Sequence, residues 1–177
     1  MSASYLTSKA RVVAQAESGQ HGAVALDTIL AGEVVAAFGG RCVTREQLDI
    51  LPADQRSRSV QIEDGLFLAG SPEPEAADFV RHSCAPNCGM HGNTVVVALR
   101  DIAPGEAVTY DFAMTDGSDY DEIECRCGAD TCRSTITGDD WMLPELQLRY
   151  RGSFSPYLAA RIASLVNTGA ERRAFAL

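Results

Sequence analysis

FVRHSCAPNC, residues 79–88, sets a histidine and two cysteines around a proline, with Arg81 immediately ahead of His82. On its own the stretch fits half of a metal site, the wall of a catalytic pocket or an ordinary turn. A second thiol cluster narrows the choice. ECRCGADTCRS, residues 124–134, spaces Cys125, Cys127 and Cys132 as Cys-x-Cys-x4-Cys on a loop containing Gly128. Three thiolates on one short loop can hold a Zn²⁺, but a closed structural site takes four ligands. The fourth must come from elsewhere, and the earlier stretch offers Cys84 and Cys88, with His82 as a further donor. The plainer alternative is a loop that merely carries free cysteines. If a metal is bound, it ties the late loop to the middle of the chain, with the HSC stretch beneath it.

The 177 residues suit one domain with a proper core and a small appendage. A formal charge of −9 repels phosphate backbones, so nucleic acid is not an expected partner, whereas a cationic substrate would be steered inward. No segment reaches the apolar length needed to cross a bilayer, which argues against a membrane role. The opening MSASYLTSKARVVAQAE lacks the apolar centre of a secretory signal. The expectation is a reducing, cytoplasmic setting, where clustered thiols serve metals more often than disulfides.

Short strands fill most of the chain. ARVVAQ and AVALDTI flank the glycine-bearing turn SGQHG, and LAGEVVAAFGGRCV repeats the same rhythm. TREQLDILPADQRS predicts a short helix capped by Thr44 and ending near Pro52. SVQIED and GLFLAG predict a hairpin through Asp64-Gly65. SPEPEAADF is a polar loop running into a short helix, and GNTVVVALRDI and EAVTYDF are further strands. His21 and His91 fall beside glycines, as surface turn residues do. TDGSDYDEIE, residues 115–124, is an acidic run expected to be solvated, although an acidic rim there could attract a basic peptide. Beyond Met142 the pattern turns helical, with Leu158, Ile162 and Leu165 on one stripe and Pro144 and Pro156 at helix starts. That stripe either folds back onto the domain or pairs with a second chain as a homodimer.

In this order the motifs resemble the SET-domain family of S-adenosylmethionine-dependent lysine methyltransferases with a post-SET zinc loop, in a small bacterial-type form. SGQHGAVA resembles the family's cofactor turn and LAGEVVAAFGG the strand pair that follows. DFVRHSCAPNC resembles the segment usually written Asn-His-Ser-Cys-x-Pro-Asn, DIAPGEAVTYDF the stretch ending Thr-Tyr-Asp-Tyr, and CRCGADTC the post-SET loop. The resemblance implies a mainly β fold of small curved sheets, with the HSC and TYDF segments forming a pseudoknot. It implies a SET domain over 1–118, a zinc loop over 119–138 and a helical extension over 139–177. It assigns Cys84 as fourth zinc ligand beside Cys125, Cys127 and Cys132, leaving Cys88 free. It places Gly19, Gln20, His21, Gly22, Arg81 and His82 around S-adenosylmethionine, and Tyr110 and Phe112 at catalytic positions. Asn87 becomes a knot residue whose amide binds backbone, although a turn after Pro86 would explain it equally well.

The departures from the pattern gather at the active site. Arg81 stands where the family has asparagine, Phe112 where it has a catalytic tyrosine, Gln20 at the first glycine of the cofactor turn, and Phe38 at a frequent channel tyrosine. Phe keeps the ring but removes a hydroxyl that would polarise the channel, a loss worth about 2.7–4 kcal/mol per donor. Arg81 brings a permanent charge that is unwelcome beside a sulfonium unless it reaches the cofactor's carboxylate. Asp111 could act as a general base, but accepting a backbone bond inside the knot is the simpler role. The expected activity is methyl transfer to a lysine amine of a protein or peptide. The alternatives are a SET scaffold turned to other S-adenosylmethionine-linked chemistry and a non-catalytic binding module.

Overall fold

The computed structural model describes residues 4–14, 21–118 and 122–174. Its strands are short and follow the apolar alternation of the sequence. They are β1 (Tyr5–Leu6), β2 (Ala10–Ala14), β3 (His21–Ala25), β4 (Val34–Ala37), β5 (Arg41–Thr44), β6 (Val60–Glu63) and β7 (Leu66–Ala69). There follow β8 (Arg81–His82), β9 (Cys88–His91), β10 (Val95–Ala98), β11 (Thr109–Tyr110), β12 (Ile123–Glu124) and β13 (Thr135–Ile136). Helices α1 (Arg45–Asp49), α2 (Ala53–Arg56), α3 (Pro144–Arg149) and α4 (Pro156–Ala174) complete the described elements, with short 3-10 turns between.

The strands form one four-stranded sheet ordered β1-β4-β10-β9, one three-stranded sheet ordered β5-β7-β6, and the pairs β2–β3, β8–β11 and β12–β13. The architecture is the mainly β set of small sheets expected from the sequence. In β10 the side chains of Val96 and Ala98 are buried while Val95 and Val97 are half-buried, the period-2 signature of a sheet with one covered face. The β6–β7 hairpin turns through Asp64-Gly65, where Gly65 adopts φ 68°, a conformation that glycine reaches without steric cost. Ile29 and Ile102 pair across an isolated bridge and are fully buried in the main core.

Several expectations shift in detail. The strand expected from AVALDTI begins at His21 and stops at Ala25, because β2 and β3 stay in register as far as Ala14 and His21. His21 is therefore an exposed strand residue rather than a turn residue, while His91 closes β9 before the turn at Gly92. TREQLDILPADQRS forms the expected helix, α1, ending just before Pro52, and adds a second, α2, after it. Thr44 caps α1 through a reciprocal box with Gln47, and Pro52 precedes α2, consistent with proline's hindrance of a continuous helix. EAVTYDF yields only Thr109–Tyr110 as strand, because the Asp111 side chain accepts the Ala113 N–H and opens a 3-10 turn over Phe112–Met114.

The tail folds back onto its own domain. Leu158 is fully buried and Ile162 lies against the main core, whereas Leu165 is 48% exposed. Trp141, Leu146, Tyr150 and Tyr157 join the same core. The apolar stripe considered for a homodimer is thus spent within the chain over its first turns.

Candidate active site and metal centre

The site is built where β8 runs parallel to β11, in the register Arg81↔Thr109 and His82↔Tyr110. Every other strand pair among the described residues is antiparallel. Segments 79–88 and 109–115 therefore lie side by side although far apart in sequence. Asn87 holds them together with both ends of its amide. Its Nδ2 donates to the Ala107 carbonyl at 2.8 Å and its Oδ1 accepts the Thr109 N–H at 3.0 Å. With Asn87 buried, that double bond identifies it as a strut of the crossing rather than a simple turn former.

The Ser83 N–H donates to the Tyr110 carbonyl at 3.1 Å. Backbone groups alternate along a strand, so the N–H and C=O of His82 turn to the opposite edge, away from β11. The His82 ring is fixed too. The Phe112 N–H donates to Nδ1 at 3.2 Å, which leaves the ring proton on Nε2, 3.3 Å from Cys84 Sγ. Burial pushes the His82 pKa below its usual value, with nearby Asp111 opposing that shift and Arg133 reinforcing it. His82 is therefore a neutral structural ring.

The thiols of Cys84, Cys125, Cys127 and Cys132 converge, with all four sulfur atoms within 4.8 Å of one another. Ligands about 2.3 Å from an ion at tetrahedral angles stand about 3.8 Å apart. The Cys84 and Cys125 sulfurs are 3.8 Å apart. The donor set and the spacing therefore fit a closed four-thiolate zinc site. Backbone N–H groups of Cys84, Arg133 and Ser134 point at sulfurs of this cluster, each at 3.4 Å, and favour the thiolate form. Burial opposes ionisation of Cys127, yet amide donors from Cys84 and Ala129 and the neighbouring thiols bring its pKa down to about 6. Cys88 lies outside the cluster, buried beside Asn87, and desolvation pushes its thiol up to about 12. The spacing in the sequence could not choose between Cys84 and Cys88; the tertiary arrangement does.

Beneath the cluster lies a buried charge network that the sequence did not disclose. The Asp111 carboxylate, fully buried, accepts the Arg133 guanidinium from two nitrogens at 2.6 and 2.8 Å and the Tyr150 hydroxyl at 2.9 Å. Arg133 also reaches Asp140 at 2.9 Å, while Arg149 and Tyr150 donate to the Cys84 carbonyl at 3.2 and 3.3 Å. Thus Asp111 is neither a free base nor a mere backbone acceptor. It is the anchor that locks the knot to the thiol loop and to α3. Arg133 follows Cys132 directly, but nothing in that spacing shows which carboxylate it meets.

On the far side of the Phe112 ring opens a cavity of about 400 Å³. Phe38, Tyr110 and Phe112 line it together, with ring centroids 5.7 Å apart for Phe38–Tyr110 and 5.2 Å for Tyr110–Phe112. Phe112 also touches the His82 ring, with centroids 5.1 Å apart. Tyr110 is 5% exposed. Asp116 lines the same cavity, so the head of the acidic run is half-buried there rather than solvated. Of the residues expected around a cofactor, His21 and Gly22 lie on β3 and Arg81 and His82 on β8, outside the cavity lining. Gly19 and Gln20 lie outside the described residues.

The sequence and the fold both have known counterparts. The SET domain family pattern covers residues 20–113, which is 94 of 177 positions, and the chain belongs to that family. Over 120 residues it is 31% identical to the histone-lysine N-methyltransferase trithorax of Drosophila virilis, an overlap of 61% of this chain and 3% of the relative. Over 152 residues it is 29% identical to the H3 lysine-4-specific histone-lysine N-methyltransferase of Saccharomyces cerevisiae, covering 77% of this chain and 14% of that protein. The chain thus corresponds to only a small part of these relatives. Among solved structures, KRYPTONITE in complex with mCHH DNA, an H3(1–15) peptide and SAH superposes with a TM-score of 0.56 at 22% identity, over 73% of this chain and 30% of that one. That likeness concerns the fold.

Proposed function

We propose that the chain transfers a methyl group from S-adenosylmethionine to a lysine amine of a protein or peptide. The observation that carries this reading is the shared cavity of Phe38, Tyr110 and Phe112, set directly against the β8–β11 crossing within the family-matched region. When bound, S-adenosylmethionine supplies an electron-poor sulfonium methyl. The outward N–H and C=O of His82 offer the paired donor and acceptor that the edge of a flat base requires. Arg81, exposed on the same strand, can meet a carboxylate. Tyr110 gives the aromatic wall a hydroxyl to orient an amine, and the three rings exclude water around it. The four-thiolate cluster would hold a structural Zn²⁺ that pins the thiol loop above the crossing.

A basic peptide suits the chain's charge of −9, and histone-lysine methyltransferases among its relatives point to a histone tail as the first substrate to try. Free thiols in such number belong in a reducing compartment, so a cytoplasmic location is part of this reading. The test is calorimetry with S-adenosylmethionine and S-adenosylhomocysteine, followed by mass spectrometry of an H3(1–15) peptide incubated with protein and cofactor. Saturable binding of both ligands and one or more added methyl groups on lysine are expected. Absence of heat with either ligand would overturn the proposal.

A further inference from the structure

Three aspartates line the aromatic cavity: Asp49, Asp78 and Asp116. Two already face arginine. Asp49 accepts Arg45 at 2.8 Å and Asp78 lies 3.4 Å from Arg58. Arg56, the remaining lining cation, donates to the carbonyls of Asp49 and Leu51. Asp116 has no cation within ion-pair distance among the described residues, and its carboxylate has only a long contact of 3.4 Å from the Thr115 hydroxyl. Its own N–H donates to the Phe112 carbonyl at 2.8 Å, which places it one turn along from the ring at the family's tyrosine position.

The segment carrying Asp116 is held on both sides. The Tyr157 hydroxyl donates to the Thr115 carbonyl, Arg161 donates to the Gly117 carbonyl at 2.8 Å, and the Gly117 N–H donates to Gln61 Oε1 at 3.0 Å. Gly117 leaves room for this approach. A Cβ there would meet Leu158 Cδ2 at 2.6 Å and the Tyr157 hydroxyl at 3.2 Å. The folded-back tail thus acts as a clamp on the backbone either side of Asp116, a residue that lines the same cavity as the aromatic rings. Arg161 is itself stacked over Trp141 at 4.3 Å, so the clamp is rigid at its base.

We propose that Asp116 is a catalytic residue of this chain: its carboxylate takes up the ammonium end of the substrate's alkyl chain and receives one of its protons inside the aromatic cavity. This rests on the methyl-transfer reading above. The proton passes from the ammonium nitrogen to an Asp116 oxygen, leaving a neutral amine and a carboxylic acid. The amine's lone pair then forms the new N–C bond while the sulfonium C–S bond breaks and its electron pair stays on sulfur. The carboxyl group suits that role. Desolvation, reinforced by Asp111 and only partly offset by the Thr115 hydroxyl, raises its pKa to about 7. The other titratable or charged groups around it are Tyr157 and Arg161 on α4 and the Arg45–Asp49 and Arg58–Asp78 pairs across the cavity.

The experiment uses the full chain, with Asp116→Asn, the smaller Asp116→Ser in case the amide packs poorly, and exposed Asp27→Asn as a charge-matched control. In the first arm n-butylammonium chloride is titrated while amide NMR shifts are followed. Saturable shifts at Gly117 and Phe112 are expected in the wild type and in Asp27→Asn, and are expected to vanish in both Asp116 variants. Binding that survives in both variants would overturn the proposal whether or not methyl transfer occurs. The second arm measures kcat/KM for the H3(1–15) peptide against pH. A general base is worth on the order of 10²–10⁴-fold. The variants should lose about that factor near neutral pH and recover toward wild type near pH ~10, where lysine sheds its proton unaided. A loss equal at all pH values, or no loss, would assign Asp116 a structural role instead. Inactive wild type that still binds n-butylammonium through Asp116 would overturn the proton-transfer step and the methyl-transfer reading, but not the cation site.

Discussion

Asp111 and Asp116 flank the 3-10 turn that follows β11, yet their surroundings are opposite. Asp111 is fully buried and saturated by the Arg133 fork, the Tyr150 hydroxyl and an amide. Asp116 is half-buried, faces a cavity and has no cation to neutralise it among the described residues. A satisfied buried carboxylate holds a structure together, whereas a desolvated, uncommitted one is available to a ligand. One side of the crossing is scaffold, with the thiol cluster, Arg133 and α3 bound into one unit. The other side is open, and its polar groups are held by α4 without being consumed.

The largest effect should come from the scaffold. Structural zinc in small peptides contributes about 10–16 kcal/mol, as much as the whole stability of a typical domain. Stripping the metal with a strong chelator, or changing Cys84→Ser, should abolish the cooperative thermal transition and the near-ultraviolet signal of Tyr150 and Trp141. Elemental analysis should return about one zinc per chain before treatment. An unaltered transition after chelation would break the picture of a metal-pinned half.

Next comes the buried ion pair. Removing one partner of a buried pair costs about 3–5 kcal/mol, so Asp111→Ala should lower the urea stability by that order. Arg133→Met alone should cost a similar amount, while the double variant should cost less than the sum of the two. Strict additivity would show that the two side chains are not coupled.

Smaller effects belong to the open side. If the chain methylates as proposed, restoring the family residues in Arg81→Asn with Phe112→Tyr should raise any such rate, by up to about 10²-fold if the new hydroxyl regains one oriented donor. An equal or lower rate in that double variant would show that the departures are adaptations rather than losses.

A separate change, visible only as a dependence on pH, is expected from Asp116→Asn in stability. An unfolded aspartate titrates near ~3.9, whereas Asp116 in the fold titrates at about 7. Between those values the folded state binds more protons, so the contribution of Asp116 to stability is complete below pH ~4 and is lost as pH rises through about 7. Relative to Asp116→Asn, the wild type should therefore weaken over that interval and hold level above it. A constant difference across the range would place the carboxyl in ordinary solvent.

Much of the scaffold was legible. The Cys-x-Cys-x4-Cys spacing, the HSC stretch and the TYDF strand announced a thiol cluster and its neighbours, and Thr44, Gly65, Pro144 and Pro156 marked element ends that the structure keeps. Those signals are local, set by bond geometry and by which side chains satisfy nearby backbone groups. Spacing alone left Cys84 and Cys88 open, and only the family resemblance pointed to Cys84; the meeting of Arg133 with Asp111 and the burial of the acidic run's first residues were not legible. Each depends on where a side chain points after distant segments have packed, and residue type alone carries no record of that direction.

Neighbouring residues by themselves determined the short strands, the turns and the thiol-rich loop, and the motifs' resemblance to the SET family implied the mainly β architecture that joins them. Only the tertiary structure decided that the tail closes over residues 115–117 and leaves Asp116 lining the cavity that holds the aromatic rings. That outcome follows from long-range burial of Leu158 and Tyr157 against the core, and it sets the electrostatics of the open side.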